Sequence, residues 1–234
     1  EQRVLSWLAG DNRMMEVLET GVSVYEAHAR ATMNWAGGKL KDEDPDRYRL
    51  AKARVLGLGY GAGATVFVKI AKIMAGLDIS LSEAERVVAE FRRTNPLVLA
   101  LWRQLDLAIR AREGGEFEMP LPSGRRLVYR NVRRGNTGMV ADVQGRQSHF
   151  FGGKLAENLT SATARDVLGF ILLRLEAAGY RVVMHVHDEV VVEVPAERAE
   201  AAKAEIHALM TRNPEWLEGL PLTAETFLTT HYTK

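Results

Sequence analysis

The chain has 234 residues, 47% of them hydrophobic, with 31 basic against 30 acidic side chains and a net charge of +1. That is enough for one large domain or two small ones with real cores, and the bulk charge does not announce nucleic acid. The absence of cysteine excludes disulfides and thiolate metal sites. No apolar run approaches the roughly 18 residues of a membrane span and no signal peptide opens the chain, so no membrane partner is expected and a cytoplasmic setting is.

EQRVLSWLAG follows a helical pattern, with Val4, Leu5, Trp7 and Leu8 apolar and Gly10 placed as a C-cap. Asp11 caps a second helix, NRMMEVLETG, which Gly21 stops. A domain rarely begins in mid-pattern, so this start reads as a cut inside a larger architecture. SVYEAHARATMNW is predicted helical and GGKLKDEDPDR a polar loop. YRLAKARVLGLGYGAGATVFVKIAKIMAGL opens as a helix and passes through four alternating glycines. Ser82 to Glu85 reads as a capping box for SEAERVVAEFRRTN. Pro96 suits the first turn of LVLALWRQLDLAIRARE, which Gly114 and Gly115 end. EFEMPLPSGRRLVYRNV is a predicted hairpin around Pro122, Ser123 and Gly124, and GNTGMVADVQGRQSHFF a loop. A long helix runs from about Gly153 to Ala178, followed by Gly179. VVMHVHDEVVVEV reads as β, PAERAEAAKAEIHALMTRN as an amphipathic helix and PLTAETFLTTHY as a last strand. Helices come first and strands mixed with helices follow, which is an α+β order.

Three constellations carry chemistry. In VVMHVHDEVVVEV two apolar β segments meet at His187, Asp188 and Glu189, the form of a tight hairpin with acids at its bend. Carboxylates at a strand end hold hard divalent cations; an Asp-bearing turn on a surface hairpin is the plainer reading. His185 and His187 hint at zinc, without a third ligand at zinc-site spacing. In KARVLGLGYGAGA, Lys52, Leu56 and Tyr60 share a helix face over roughly 12 Å. A cation, an apolar side chain and an aromatic in line suit a phosphate, a sugar and a base; close helix packing through the glycines weighs equally. Gly57-x-Gly59 follows a helix instead of a strand, so it is not a dinucleotide fingerprint, and no P-loop occurs. On the long helix, Lys154, Asn158, Ser161 and Arg165 fall at helical spacing and suit one ligand; an ordinary amphipathic helix is the plainer reading. SGRRLVYRNVRRG, residues 123–135, adds five arginines and no acid, a phosphate-binding pattern or a solvated surface.

Taken in order, EQRVLSWLAGD, KARVLGLGYGAGA, LPSGRRLVYR, the long helix, HVHDEVVVEVP and GLPLTAE resemble family A DNA polymerases, the group of bacterial DNA polymerase I, and its bacteriophage branch above all. The resemblance implies the fingers and palm of a right-hand polymerase fold without its thumb: residues 1–20 a palm helix, 21–150 the fingers, and 151–234 the palm with its HDE hairpin. The implied reaction joins a dNTP to a primer 3′-hydroxyl on template DNA with two Mg²⁺ ions, Mn²⁺ being an alternative, in a bacterial or phage-infected cytoplasm. Asp188 would bind the metal, Glu189 stand in its outer sphere, and His187 orient the turn or touch the primer end. Lys52 would meet the triphosphate, Tyr60 guard the nascent pair, Gly61 leave room for the template, Leu56 bear on the sugar 3′-group and Glu1 block a ribose 2′-hydroxyl. Arg125 and Arg126 lie in a family-like segment.

There are departures from the family pattern. An arginine one helical turn before the lysine is Tyr48 here, flanked by Arg47 and Arg49, one of which is expected to replace it. A histidine of the fingers is Tyr25, and a template-contacting glutamine is Ser161. The family's first metal-binding aspartate precedes the position of Glu1, so an N-terminal polymerase segment or a second polymerase chain is the expected partner, and the chain alone is expected not to polymerise. Two other readings stand beside this one. The first is a non-catalytic subunit that grips primer-template or dNTP; the second is a metal-dependent phosphoesterase built on His185, His187 and Asp188.

Overall fold

A computed structural model describes residues 1–136 and 138–232. The chain forms two compact units, Glu1–Ser161 and Ala162–Lys234. Both helices and antiparallel sheet are present, the α+β class expected.

The first unit opens with α1 (Gln2–Leu8), α2 (Asn12–Glu19) and α3 (Val24–Thr32). Asp11 caps α2 by accepting from the Met14 amide at 3.2 Å, and Ser23 caps α3 by accepting from Glu26. The stretch expected to be a loop holds α4 (Leu40–Glu43) and the first turn of α5 (Pro45–Leu58). Asp44 accepts from the Arg47 amide at 2.9 Å and Pro45 takes the first helical position. This Asp-Pro start signal lies hidden among the charges of KDEDPDR. The four glycines are not helical throughout. α5 ends at Leu58, Gly61 adopts φ +88°, and α6 (Ala64–Ala75) begins beyond them.

The capping box of α7 (Leu81–Thr94) sits two residues earlier than the sequence suggested. Ser80 accepts from the Glu83 amide, and Glu83 accepts from the Ser80 amide at 2.8 Å. α8 (Pro96–Arg110) follows. Ala53, Leu58, Phe67, Ala71, Ala84, Val88 and Phe91 form the core that binds α5, α6 and α7 together.

Four strands then form an antiparallel meander in sequence order: β1 (Phe117–Pro120), β2 (Arg126–Gly135), β3 (Gly138–Val143) and β4 (Arg146–Phe150). The first pair is the expected hairpin. The second corrects the expected loop, because Met139, Val140 and Ala141 are buried and Val143 pairs with Arg146 across a two-residue turn. Gln144 and Gly145 both take positive φ, +50° and +75°. Such a turn normally announces itself by Asn or Asp in the first place, and Gln conceals it. α9 (Gly152–Ala177) starts in this unit, within a residue of its expected span.

The second unit holds the rest of α9, the hairpin of β5 (Arg181–Val186) and β6 (Glu189–Glu193), and α10 (Ala199–Thr211). Arg174 ties α9 to the end of α10. Its guanidinium donates to the Leu209 and Arg212 carbonyls at 2.8 and 2.6 Å and lies 4.3 Å over the Phe170 ring. The segment expected as a final strand is irregular, with Phe227 and Leu228 exposed. A strand needs a partner to pair with, and among the described residues the sheet of this unit is the two-stranded β5–β6 pair.

Candidate active site

α5 buries Ala51, Ala53, Val55, Gly57 and Leu58 and leaves Lys52 half-buried and Leu56 exposed. Among the described residues no acid or acceptor is paired with the Lys52 ammonium. The glycine-packing reading also holds in part: a Cβ at Gly57 would come within 2.8 Å of Ile70 on α6. Tyr60 lies two residues past the end of α5 in a turn and does not continue the helical row.

That turn is gripped from outside. A Cβ at Gly153 would overlap the Tyr60 carbonyl oxygen, and one at Gly152 would overlap the Trp102 backbone, so α9 begins directly against both. The Trp102 indole donates to the Gly59 carbonyl at 3.1 Å. A cleft of about 420 Å³ opens beside the turn, lined by Gly61, Trp102, Phe151, Arg92 and Arg103 among others. Sequence reasoning missed Gly152, Gly153 and this cleft, because its walls come from α7, α8 and the start of α9, far apart in the chain.

Glu1 stands beside Tyr60. Burial, reinforced by the Glu1 carboxylate, pushes the Tyr60 phenol well above its ordinary range, so it stays protonated. Ser161 on α9 donates to the Glu1 carboxylate at 3.0 Å. Of the helix row Lys154, Asn158, Ser161 and Arg165, the first three are already engaged: Lys154 with Glu157 at 2.9 Å, Asn158 with the Tyr129 hydroxyl at 3.0 Å, and Ser161 with Glu1. They do not converge on one empty place.

Between α3 and α5, the Tyr25 and Tyr48 rings meet edge-on at 5.5 Å. Arg49 pairs with Asp46. The arginines of 123–135 also find acids, which the meander brings across from outside the run. Arg126 pairs with Glu118 at 2.5 Å, Arg130 with Glu116 at 3.0 Å, Arg133 with Asp142 at 3.7 Å and Arg134 with Glu113 at 2.8 Å.

In the second unit, Val186 pairs with Glu189, so the turn is His187 and Asp188. His187 takes φ +52°, uncommon for a residue with a side chain. Asp188 is exposed, and Glu189, half-buried, accepts from the Tyr232 hydroxyl at 3.3 Å. Among the described residues no group of three His, Cys, Asp or Glu stands together as a metal site, His185, His187 and Asp188 included. Nor is any helix among them long and apolar enough to cross a membrane.

The model of DNA polymerase family A matches residues 1–234. This chain belongs to DNA polymerase family A. It is 34% identical over 264 aligned positions to the DNA polymerase of Bacillus phage SP02, covering all of this chain and 40% of that protein. It is 31% identical to the DNA polymerase of Mycobacterium phage D29, over 90% of this chain and 30% of the relative, and 29% identical to the thermostable DNA polymerase I of Thermus aquaticus, over 86% and 22%. The chain thus spans well under half the length of these relatives. In structure it is similar to the POL domain of Pol1 from M. smegmatis, solved in complex with DNA primer-template and dNTP. The TM-score is 0.64 at 20% identity, over 90% of this chain and 34% of that one. That likeness gives the fold of the family A chain, a fingers and palm architecture.

Proposed function

We propose that this family A chain supplies the nucleotide-gripping helix and one metal-binding carboxylate of a DNA-directed DNA polymerase, which joins a dNTP to a primer 3′-hydroxyl opposite a DNA template. The observation that carries the proposal is the face of α5: a half-buried Lys52, unpaired among the described residues, in line with exposed Leu56 and followed by a Tyr60–Gly61 turn clamped by Gly153 and flanked by Glu1. Lys52 would bind the phosphates and offset charge that grows as the bond to the leaving pyrophosphate breaks. Leu56 would pack against the sugar. Glu1, steadied by Ser161, would crowd the edge where a ribose carries its 2′-hydroxyl. Tyr60, a neutral ring, would back the new base pair, and the positive φ of Gly61 turns the chain away so that the template has room. The neighbouring cleft, with Trp102, Phe151 and the exposed Arg92 and Arg103, offers rings and cations suited to a single strand.

Asp188 presents hard carboxylate oxygens at an exposed turn, the donor type that Mg²⁺ or Mn²⁺ takes. With Glu189 it fits a share of a metal site; the other ligands would come from phosphate, water and a carboxylate outside this chain. When bound, two such ions would activate the attacking oxygen and neutralise the phosphates. His187, through its positive φ, would aim the Asp188 side chain, and Tyr232 would hold Glu189. Exposed Val183 and Met184 on a two-stranded sheet support a partner element here, from an N-terminal segment or a second polymerase chain, because a lone hairpin is marginally stable.

The test is nucleotide incorporation on a primed template by this chain with and without the upstream polymerase polypeptide. Incorporation is expected only with it, and robust activity from the chain alone would refute the shared site. The alternative is a non-catalytic subunit that grips primer-template or dNTP. Retained DNA binding with no activity under any complementation would select it.

A further inference from the structure

We propose that Thr160 is a positioning residue for Tyr60: its buried hydroxyl pairs with the Tyr60 hydroxyl and fixes the ring against which the new base pair seats. The inference rests on the role given to Tyr60 above and adds the group that holds it.

Thr160 sits on α9 with its side chain fully buried, and among the described residues its Oγ closes no hydrogen bond. A threonine inside a helix can spend its hydroxyl on the carbonyl four residues back. Thr32, Thr94 and Thr211 do so, donating to the His28, Glu90 and His207 carbonyls at 2.7, 2.9 and 2.8 Å. Thr160 does not. Burying an unspent hydroxyl is costly, so one kept in this state points to a use outside its own helix.

The group it meets is the Tyr60 phenol. Gly153, Glu157 and Thr160 fall at i, i+4 and i+7 on α9, one face over about 10 Å of helix. At the first of these, α9 presses on the Tyr60 carbonyl. Burial first, then the Glu1 carboxylate, pushes the Tyr60 phenol upward; the Thr160 hydroxyl, acting on the phenol oxygen as a donor, pulls the other way, and Glu157 adds to the rise. Tyr60 therefore lies along this face, its backbone at Gly153 and its hydroxyl toward Thr160. The two hydroxyls are within reach of one another without the alignment of a closed hydrogen bond. Hydrogen bonds of a site often tighten only when the ligand is in place. The next residue, Ser161, already donates to Glu1 at 3.0 Å. Adjacent hydroxyls of α9 thus serve adjacent members of the site, Ser161 for Glu1 and Thr160 for Tyr60.

The test is single-turnover incorporation of matched and mismatched dNTPs with the upstream polypeptide supplied. Thr160→Val keeps the shape of the side chain and loses the hydroxyl. It is expected to lower discrimination against the mismatched dNTP about fivefold to tenfold, and Thr160→Ser to keep it. Tyr60→Phe should cost as much, and the double variant no more than either single change, as the two ends of one bond do. The melting temperature of Thr160→Val should equal or exceed that of wild type, because an unaligned buried hydroxyl is removed. A lower one, the mark of a merely structural role, overturns the inference. Thr160→Val that discriminates like wild type, while Tyr60→Ala does not, overturns it and leaves the reading of Tyr60 standing. Equal losses in Thr160→Val and Thr160→Ser, or additive losses in the double variant, do the same. If Tyr60→Ala discriminates like wild type, or wild type incorporates nothing, the inference and the reading of Tyr60 fall together.

Discussion

Lys52 stands on a helix capped by Asp44, backed by a core that joins α5, α6 and α7, and continued into a turn pressed against α9. Asp188 stands on a two-residue turn of a hairpin none of whose strand residues is fully buried, with a hydrogen bond from Tyr232 to its neighbour Glu189. The cation is held by packing that this chain supplies in full. The carboxylate is held by a backbone turn and leaves apolar Val183 and Met184 uncovered. A nucleotide grip has to be preorganised before the nucleotide arrives, and helix packing does this locally. A metal ligand needs partners, and its geometry is completed only when the others are present. Under the proposed function, the contrast sets a binding surface packed by this chain against a metal ligand that needs other ligands beside it.

Asp188→Ala tests the metal ligand and carries the largest expected effect. With the upstream polypeptide supplied, single-turnover incorporation should fall on the order of a thousandfold or more, as loss of a metal ligand does. The melting temperature should hold, since the side chain is exposed. A fall in stability of comparable size would mean that the hairpin is structural, and the contrast would break.

The binding surface should instead fail by losing its packing. His28 is fully buried between α3 and α7, its ring 5.8 Å from Phe91. Burial first, then the charges of Arg54 and Arg13, lowers its pKa to about 3. The unfolded chain protonates it near the ordinary value of about 6.5, so the stability it contributes is full above that pH and is lost as pH falls toward 3. Urea unfolding should show a loss of roughly 2–3 kcal/mol between pH 6.5 and 4.5, and His28→Gln should flatten that slope. A smaller effect is expected of Gly153→Ala. The added methyl would meet the Tyr60 carbonyl and the Phe151 ring, costing about 2 kcal/mol by overpacking and weakening dNTP binding together with stability. Equal melting curves for the two proteins would show that the clamp is loose. The smallest effect is expected of Tyr232→Phe. It removes one long, exposed hydrogen bond to Glu189 and should change incorporation by less than about fivefold, under roughly 1 kcal/mol.

What the sequence made legible follows from the range of the interactions. The caps of α2 and α9's span could be read because helix signals are local. The start of α5 at Pro45 lay three residues before the expected one, hidden among charges, and the true box at Ser80 two residues before, since alternating Ser and Glu offer two registers. β3 and β4 were missed because a Gln-Gly turn carries a weak signal. The final strand was read from β-rich composition, which cannot show whether a partner strand exists. In the site, the row from Lys52 to Leu56 was legible at helical spacing, and Tyr60 was placed one element too far along it. The Gly153 clamp, the acids facing the arginines of β2 and the Tyr25–Tyr48 contact join residues from separate elements, and no local spacing records them.

The central proposal is that Lys52 grips the triphosphate of a dNTP and that Asp188 is a metal ligand. The most direct measurement is a crystal structure of this chain with the upstream polypeptide, a dideoxy-terminated primer-template, a dNTP and Mg²⁺. The account predicts an Asp188 oxygen on a metal ion at about 2.0–2.1 Å and the Lys52 ammonium on the dNTP triphosphate. An Asp188 left in solvent while the nucleotide and metal sit elsewhere would contradict it.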